Sequence, residues 1–143
     1  MLSLTCKASI KAVIYLGARS LSGKKASVKE IATFINENEH TVGKLLQKLV
    51  KEDIINSAKG PNGGFYITTK QKSQPVKKIV QAIDGEDVFN QCGLGLSKCN
   101  ENKPCPLHND FKPIREQFKY MCEYKKVSEL YENVTKGVAH LIG

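Results

Sequence analysis

Three cysteines and a histidine fall within one short stretch of this 143-residue chain, in the pattern Cys92-x6-Cys99-x5-Cys105-x2-His108. The segment around them is rich in Gly, Asn and Pro and carries Lys98, Glu101 and Lys103, so it is too polar to bury these side chains as core. Thiolate is a soft donor that selects iron-sulfur clusters, zinc or cuprous copper, and a pliable loop can bring several thiolates to one centre. Gly93, Gly95, Pro104 and Pro106 let the loop wrap something larger than a single ion. Zinc competes, because three Cys and one His form a common structural zinc set. RNA-binding fingers with that set usually have three residues before the His and interleaved aromatics. Here the gap is two, and no Phe, Tyr or Trp lies between Cys92 and His108. Oxidation of cysteines within one mobile loop gives a third chemistry, a thiol-disulfide switch. Spacing alone leaves the three open. Cys6 and Cys122 stand apart at helical core spacing and read as small buried hydrophobes.

Elements on both sides must position this loop. Cys6, Ile10, Val13, Ile14, Gly17 and Leu21 recur at threes and fours, which predicts a helix over 4–21 with Gly23 at its end. Ser27 followed by Glu30 is a capping-box pattern opening a second helix, with Ile31, Phe34 and Ile35 as its buried face. After the polar break at Asn36–Glu39, the residues Val42, Leu45, Leu46, Leu49 and Val50 form one side of a third. A helix-turn-helix is therefore expected over 27–52. Residues 53–57 and 65–68 read as strands around the turn-rich Lys59–Gly64, a hairpin with a basic tip. A helix pair followed by such a hairpin is the order of a winged helix-turn-helix, which presents its second helix to the major groove of DNA. Pro75 opens one more short helix, with Val76, Ile79, Val80 and Ile83 as its stripe and Gly85 at its end. Beyond the loop, Phe111, Ile114, Phe118, Met121 and Cys122 line a longer helix, and Ser128 starts a further segment ending near Gly143. An apolar stripe of that length needs a partner surface, and a second copy of the chain is the expected one.

Charge agrees with a polyanionic partner. Residues 1–80 hold 14 Lys and Arg against 5 Asp and Glu, whereas residues 81–143 hold 8 against 9. All the excess of the +8 net charge lies on the helix-turn-helix side. No stretch reaches the roughly 18 apolar residues of a membrane span, no export signal opens the chain, and a disulfide scaffold is not expected in reducing cytosol. The expected location is the cytoplasm, with no membrane partner. An enzyme is disfavoured: there is no Gly-rich nucleotide loop and no paired acid-base carboxylates, so neither a catalytic residue nor a small-molecule substrate is assigned.

The opening Leu4–Ala8, the wing phrase Gly60-Pro61-x-Gly63-Gly64-Phe65 and the Cys92/Cys99/Cys105 loop together resemble the IscR/NsrR-type regulators, over essentially the whole chain. That resemblance implies a dimeric bacterial DNA-binding regulator, repressor or activator. It also implies a two-iron or four-iron cluster on the three cysteines and a response to iron-sulfur status, iron, oxygen or nitric oxide. It moves the cluster ahead of zinc and of the disulfide switch. His108 resembles the histidine that some members use as fourth ligand; Glu101, Asp110 or an acidic group of a partner subunit are the alternatives. Members commonly have five residues between the first two cysteines where this chain has six, so the cluster type does not transfer. Lys59 stands where the wing often begins with Arg, and Gly43 stands where a longer side chain often reaches toward bases.

The expected fold is mainly α with a small β-hairpin wing: a winged helix-turn-helix domain over 1–85, a cysteine-rich cluster-binding loop over 86–109 and a helical dimerisation region over 110–143. His40, Thr41 and Lys44 are the candidates for base edges. Lys48, Lys51, Lys59 and the wing residues Gly60, Pro61, Asn62 and Gly63 are the candidates for phosphate or minor-groove contact with double-stranded operator DNA. Phe111, Ile114, Phe118 and Met121 are expected at the homodimer interface. A cluster that orders the loop would set the distance between two reading helices, whose half-sites repeat at about 34–36 Å.

Overall fold

The structure is a computed structural model and describes residues 1–141; residues 142 and 143, where the last expected segment was to end, lie outside the described residues. Helix α1 runs Leu4–Ser20, capped by Ser3, whose hydroxyl accepts the Cys6 N–H at 3.0 Å. Helix α2 (Val28–Ile35) begins on the predicted cap, with Ser27 Oγ accepting the Glu30 N–H at 3.1 Å. It stops where Asn36 turns left-handed, at φ 57°. Asn38 then starts α3 (Glu39–Lys51) by accepting the His40 N–H at 2.8 Å. These local bonds satisfy backbone donors that a helix start leaves free, and they form the tight turn between the two helices.

The wing is shorter than expected. Strand β1 (Asn56–Ala58) pairs antiparallel with β2 (Gly64–Tyr66), in register Asn56↔Tyr66 and Ala58↔Gly64. Asp53 adopts a left-handed φ of 58°, so the chain turns there and drives Ile54 and Ile55 into the core instead of along a strand. At the far end Ile67 is likewise buried, and Thr68 opens a one-turn helix α4 (Thr69–Lys72) through a capping box with Gln71. Ala26 and Phe65 exchange backbone hydrogen bonds at 3.0 and 2.8 Å, which fastens the hairpin to the segment before α2.

Helix α5 (Lys77–Asp84) starts two residues after Pro75, and Gly85 at φ 83° ends it. A short 3-10 turn at Glu86–Phe89 leads into the cysteine loop. Helix α6 (His108–Tyr124) begins at the last of the predicted metal donors, and α7 (Val127–Thr135) follows after a two-residue bend. The main core unites α1, α2 and α3 with Ile54, Ile55, Ile67 and Ile79, and α7 completes it through Val127 and Tyr131. Gly17 permits that docking: a Cβ there would stand 2.2 Å from the Tyr131 ring. A second core of Cys6, Val76, Val80, Val88, Phe89 and Cys122 ties α1 and α5 to α6. Phe34, expected in the core, is one-third exposed and stacks on Tyr15 with ring centroids 4.5 Å apart.

Candidate metal centre and nucleic-acid interface

The cysteine loop lies along the start of α6, and the four predicted donors meet there in two pairs. Cys92 Sγ is 3.5 Å from Cys105 Sγ, and Cys99 Sγ is 3.3 Å from His108 Nδ1. Cys92 and His108 are buried while Cys99 and Cys105 are half-buried, so the donor set straddles the surface. A cleft of about 500 Å³ opens beside it, lined among others by Asp87, Asn90, Cys92 and Cys99. Among the described residues, no three His, Cys, Asp or Glu side chains converge on one point suited to a single ion. Of the alternative fourth ligands, Glu101 is exposed and paired with Lys112, and Asp110 is exposed in the first turn of α6.

Local backbone prepares the first thiol. The Leu94 N–H, 3.4 Å from Cys92 Sγ, and after it the Leu96 N–H hold the Cys92 thiol below the usual thiol range, because N–H donors favour the thiolate. Burial works against this, and the Cys105 side chain works with it. The two core cysteines behave oppositely. Burial, reinforced by the nearby Asp84 carboxylate, pushes the Cys6 thiol up to about 12. Burial likewise raises Cys122, and both thiols are fully buried in the second core, as their helical spacing predicted.

The predicted dimer stripe divides between two faces of α6. Phe118 stacks on Phe89 with centroids 5.8 Å apart, and the Phe111 ring sits against Gly93. Ile114 and Met121 instead point outward, 58% and 49% exposed, on a line that continues through Leu107 at one end and Tyr124 at the other. Arg115, which sequence reasoning passed over, is buried on the inner face with Phe111 and Phe118. Its only sequence signal is its position, seven residues after His108 on the same helical stripe.

The second helix of the helix-turn-helix exposes its polar face. His40, Thr41, Lys44, Lys48 and Lys51 are all solvent-facing, while Val42, Leu45, Leu46 and Leu49 anchor α3 beneath. Gly43 is half-buried, with Val28 as its near neighbour. In the wing, Lys59, Gly60, Pro61 and Asn62 are exposed. Gly63 closes the tip by donating to Gly60 O at 2.9 Å, with Ala58 O only 2.3 Å from where a Cβ would be. No side chain but hydrogen fits at that position. Lys24 and Lys25, missing from the predicted set, are exposed beside the hairpin, where the Ala26–Phe65 bridge holds them and Lys25 Nζ lies 5.5 Å from the Tyr66 ring centre. The signal was the basic pair next to Gly23 at the end of α1. No described helix is long and apolar enough to cross a membrane.

This architecture has known counterparts. The chain is 23% identical over 118 residues to the HTH-type transcriptional regulator NsrR of Oceanobacillus iheyensis, covering 81% of this chain and 80% of that one. Among solved structures it is similar to CymR (YrzC), the global cysteine regulator of B. subtilis, with a TM-score of 0.75, 17% identity and coverage of 92% and 96%. It is also similar to IscR of T. potens, with a TM-score of 0.71, 14% identity and coverage of 97% and 91%. These structural likenesses establish the mainly helical winged fold. The model of the Rrf2 family, described as iron-dependent transcriptional regulator, matches residues 2–133. The chain therefore belongs to the Rrf2 family of transcriptional regulators, DNA-binding proteins and not enzymes.

Proposed function

We propose that this regulator binds a palindromic operator as a homodimer in the cytoplasm and senses redox state, nitric oxide or iron supply through an iron-sulfur cluster on Cys92, Cys99 and Cys105, with His108 as fourth ligand. The observation that carries the reading is the pairing of donors at 3.5 and 3.3 Å. With bonds of about 2.3 Å to sulfur and about 2.0 Å to nitrogen at a tetrahedral angle, two ligands of one metal atom stand roughly 3.5–3.8 Å apart. A single zinc needs all four donors at that mutual spacing, and no three converge among the described residues. Two pairs suit a two-iron centre, which takes two ligands per iron, better than a four-iron one, which takes one per iron.

When bound, such a centre supplies redox-active iron that oxygen and nitric oxide attack. The chain's own residues do the rest. Backbone N–H groups at Leu94 and Leu96 stabilise the Cys92 thiolate, and His108 roots the loop at the first turn of α6. The outward line of Leu107, Ile114, Met121 and Tyr124 supports a two-fold contact between copies, and Phe111 and Phe118 back it from the inner face. Two α3 helices at the spacing of successive major grooves then present His40, Thr41 and Lys44 to bases, with Lys48, Lys51, Lys59 and Lys24 and Lys25 toward phosphates.

Anaerobic reconstitution with ferrous iron and sulfide tests the site. Wild type is expected to colour and to hold about two iron and two sulfide per chain. Cys92→Ala, Cys99→Ala and Cys105→Ala each lose the centre, and His108→Ala holds it more weakly. Colourless protein with stoichiometric zinc overturns the reading. A second reading, a thiol-disulfide switch, is favoured by the 3.5 Å contact between the free thiols of Cys92 and Cys105. It predicts a Cys92–Cys105 bridge on mild oxidation of iron-free protein, seen by peptide mapping.

A further inference from the structure

Four contacts in strict order join the cysteine loop to the inner face of α6. Phe118 stacks on Phe89; Arg115 Nη1 donates to Asn90 O at 3.2 Å and to Gln91 O at 3.0 Å; Phe111 lies against Gly93; His108 faces Cys99. As the chain advances from 89 to 99, the helix partners run backwards from 118 to 108 in steps of three and four, as one helical face requires. Arg115 is the exception among them. The other three are aromatic packing or belong to the donor set, whereas Arg115 brings a guanidinium whose side chain is only 8% exposed.

A buried cation is costly unless something specific is gained. Its nearest carboxylate, on neighbouring Glu116, is 3.8 Å away, and its Nε has no partner. One nitrogen, Nη1, is committed instead to two successive backbone carbonyls immediately before Cys92. The two N–H bonds of that nitrogen are fixed in the guanidinium plane and hold two acceptors in a set relation, whereas the donors of an ammonium rotate on a flexible stem and an apolar side chain has none. An apolar residue here would fill space without an unsatisfied Nε and without gripping the loop.

We propose that Arg115 is a positioning residue that clamps the main chain at 90–91 onto α6, so that Cys92 is presented in fixed register with the helix whose outer face carries Leu107, Ile114 and Met121. The proposal deepens the sensing role above and rests on it for its consequence: a change in the loop is delivered to α6 through this clamp. The clamp itself is a property of the metal-free chain.

Timed alkylation of full-length, reduced, iron-free protein with iodoacetamide, followed by peptide mass spectrometry, tests it. Cys92 is buried in the loop, and Cys6 and Cys122 are buried in the second core, so they report on the fold in the same sample. Arg115→Ala is expected to raise the Cys92 rate about tenfold, the ratio equivalent to about 1.4 kcal/mol of easier local opening, while Cys6 and Cys122 stay protected. Arg115→Lys, which keeps the charge but not the planar donor group, should fall between. An unchanged Cys92 rate overturns the clamp, and so does a joint rise at all three cysteines, which would make Arg115 a residue of global stability only. A second arm compares loss of reconstituted iron to a chelator, expected faster in Arg115→Ala than in wild type; equal rates overturn the clamp's bearing on the site. If wild type takes up no iron, the cluster reading fails, while alkylation still decides for or against the clamp.

Discussion

Gly93→Ala changes one hydrogen to a methyl beside Cys92, the first of the proposed ligands, and the structure gives the consequence. The new Cβ would stand 2.7 Å from Phe111 Cγ and 3.0 Å from Phe111 Cδ1, well inside van der Waals contact. The backbone at Gly93 is not left-handed, so alanine carries no conformational penalty there and reduces the freedom of the unfolded chain, a gain of about 0.4–1 kcal/mol. Overpacking works the other way at about 1–3 kcal/mol. Phe111 is only half-buried and can yield in part, so the clash should win by about 1 kcal/mol, lowering Tm by about 3–4 °C. Removing the ring removes the clash: in a Phe111→Ala background, Gly93→Ala should be neutral or slightly stabilising. A double-mutant cycle by urea unfolding of iron-free protein measures this, with an expected coupling of about 1–2 kcal/mol. Equal destabilisation in both backgrounds would refute the packing of loop on helix and return Phe111 to an outward role.

Three further outcomes follow from other parts of the molecule. Asn38→Ala removes the cap of α3, and unfolding should show a loss of about 1 kcal/mol; no change would mean that water caps the helix equally well. Lys48→Ala should weaken binding to all DNA sequences alike and reduce the slope of log affinity against log salt by about one, which a salt titration reads directly; an unchanged slope removes Lys48 from the phosphate set. Cys6 is held protonated up to about 12 in the folded chain, from an ordinary value of 9.0. The folded state therefore keeps a proton that the unfolded state loses. Its stabilising contribution is intact below pH 9 and falls by about 1.4 kcal/mol per pH unit from 9 toward 12. Urea denaturation between pH 8 and 11 should show wild type losing stability more steeply than Cys6→Ala; parallel profiles would contradict the assignment.

What could be read from the sequence was whatever depends on local pattern. Ser27 with Glu30 and the Asn36–Asn38 turn announce the helix-turn-helix because caps act over three or four residues. The Lys59–Gly64 tip announces the hairpin because its glycines meet a local steric demand. Asp53 misled because Ile54 and Ile55 have strand-forming side chains, and burial against α3 overrode that preference. The docking of α7 on Gly17 was invisible, since a glycine on an apolar helix face does not name its partner. At the site, the three cysteines, His108 and the loop that gathers them were legible in the spacing. The pairing of Cys92 with Cys105 and of Cys99 with His108 was not, because six- and five-residue linkers permit many closures. Arg115 was missed because arginine on a helix is usually solvated, and only the fold reveals carbonyls waiting beneath it.

The central claim is that loading the cysteine loop alters how the paired α3 helices meet DNA. A site chosen by in vitro selection from a random duplex library allows the affinity of one anaerobic sample to be measured before and after its iron is stripped. The account predicts that removing the iron changes affinity for the selected site by tenfold or more, about 1.4 kcal/mol, with little change on random duplex. Equal affinities in the two states would contradict it and leave a DNA-binding protein whose cysteines serve another purpose.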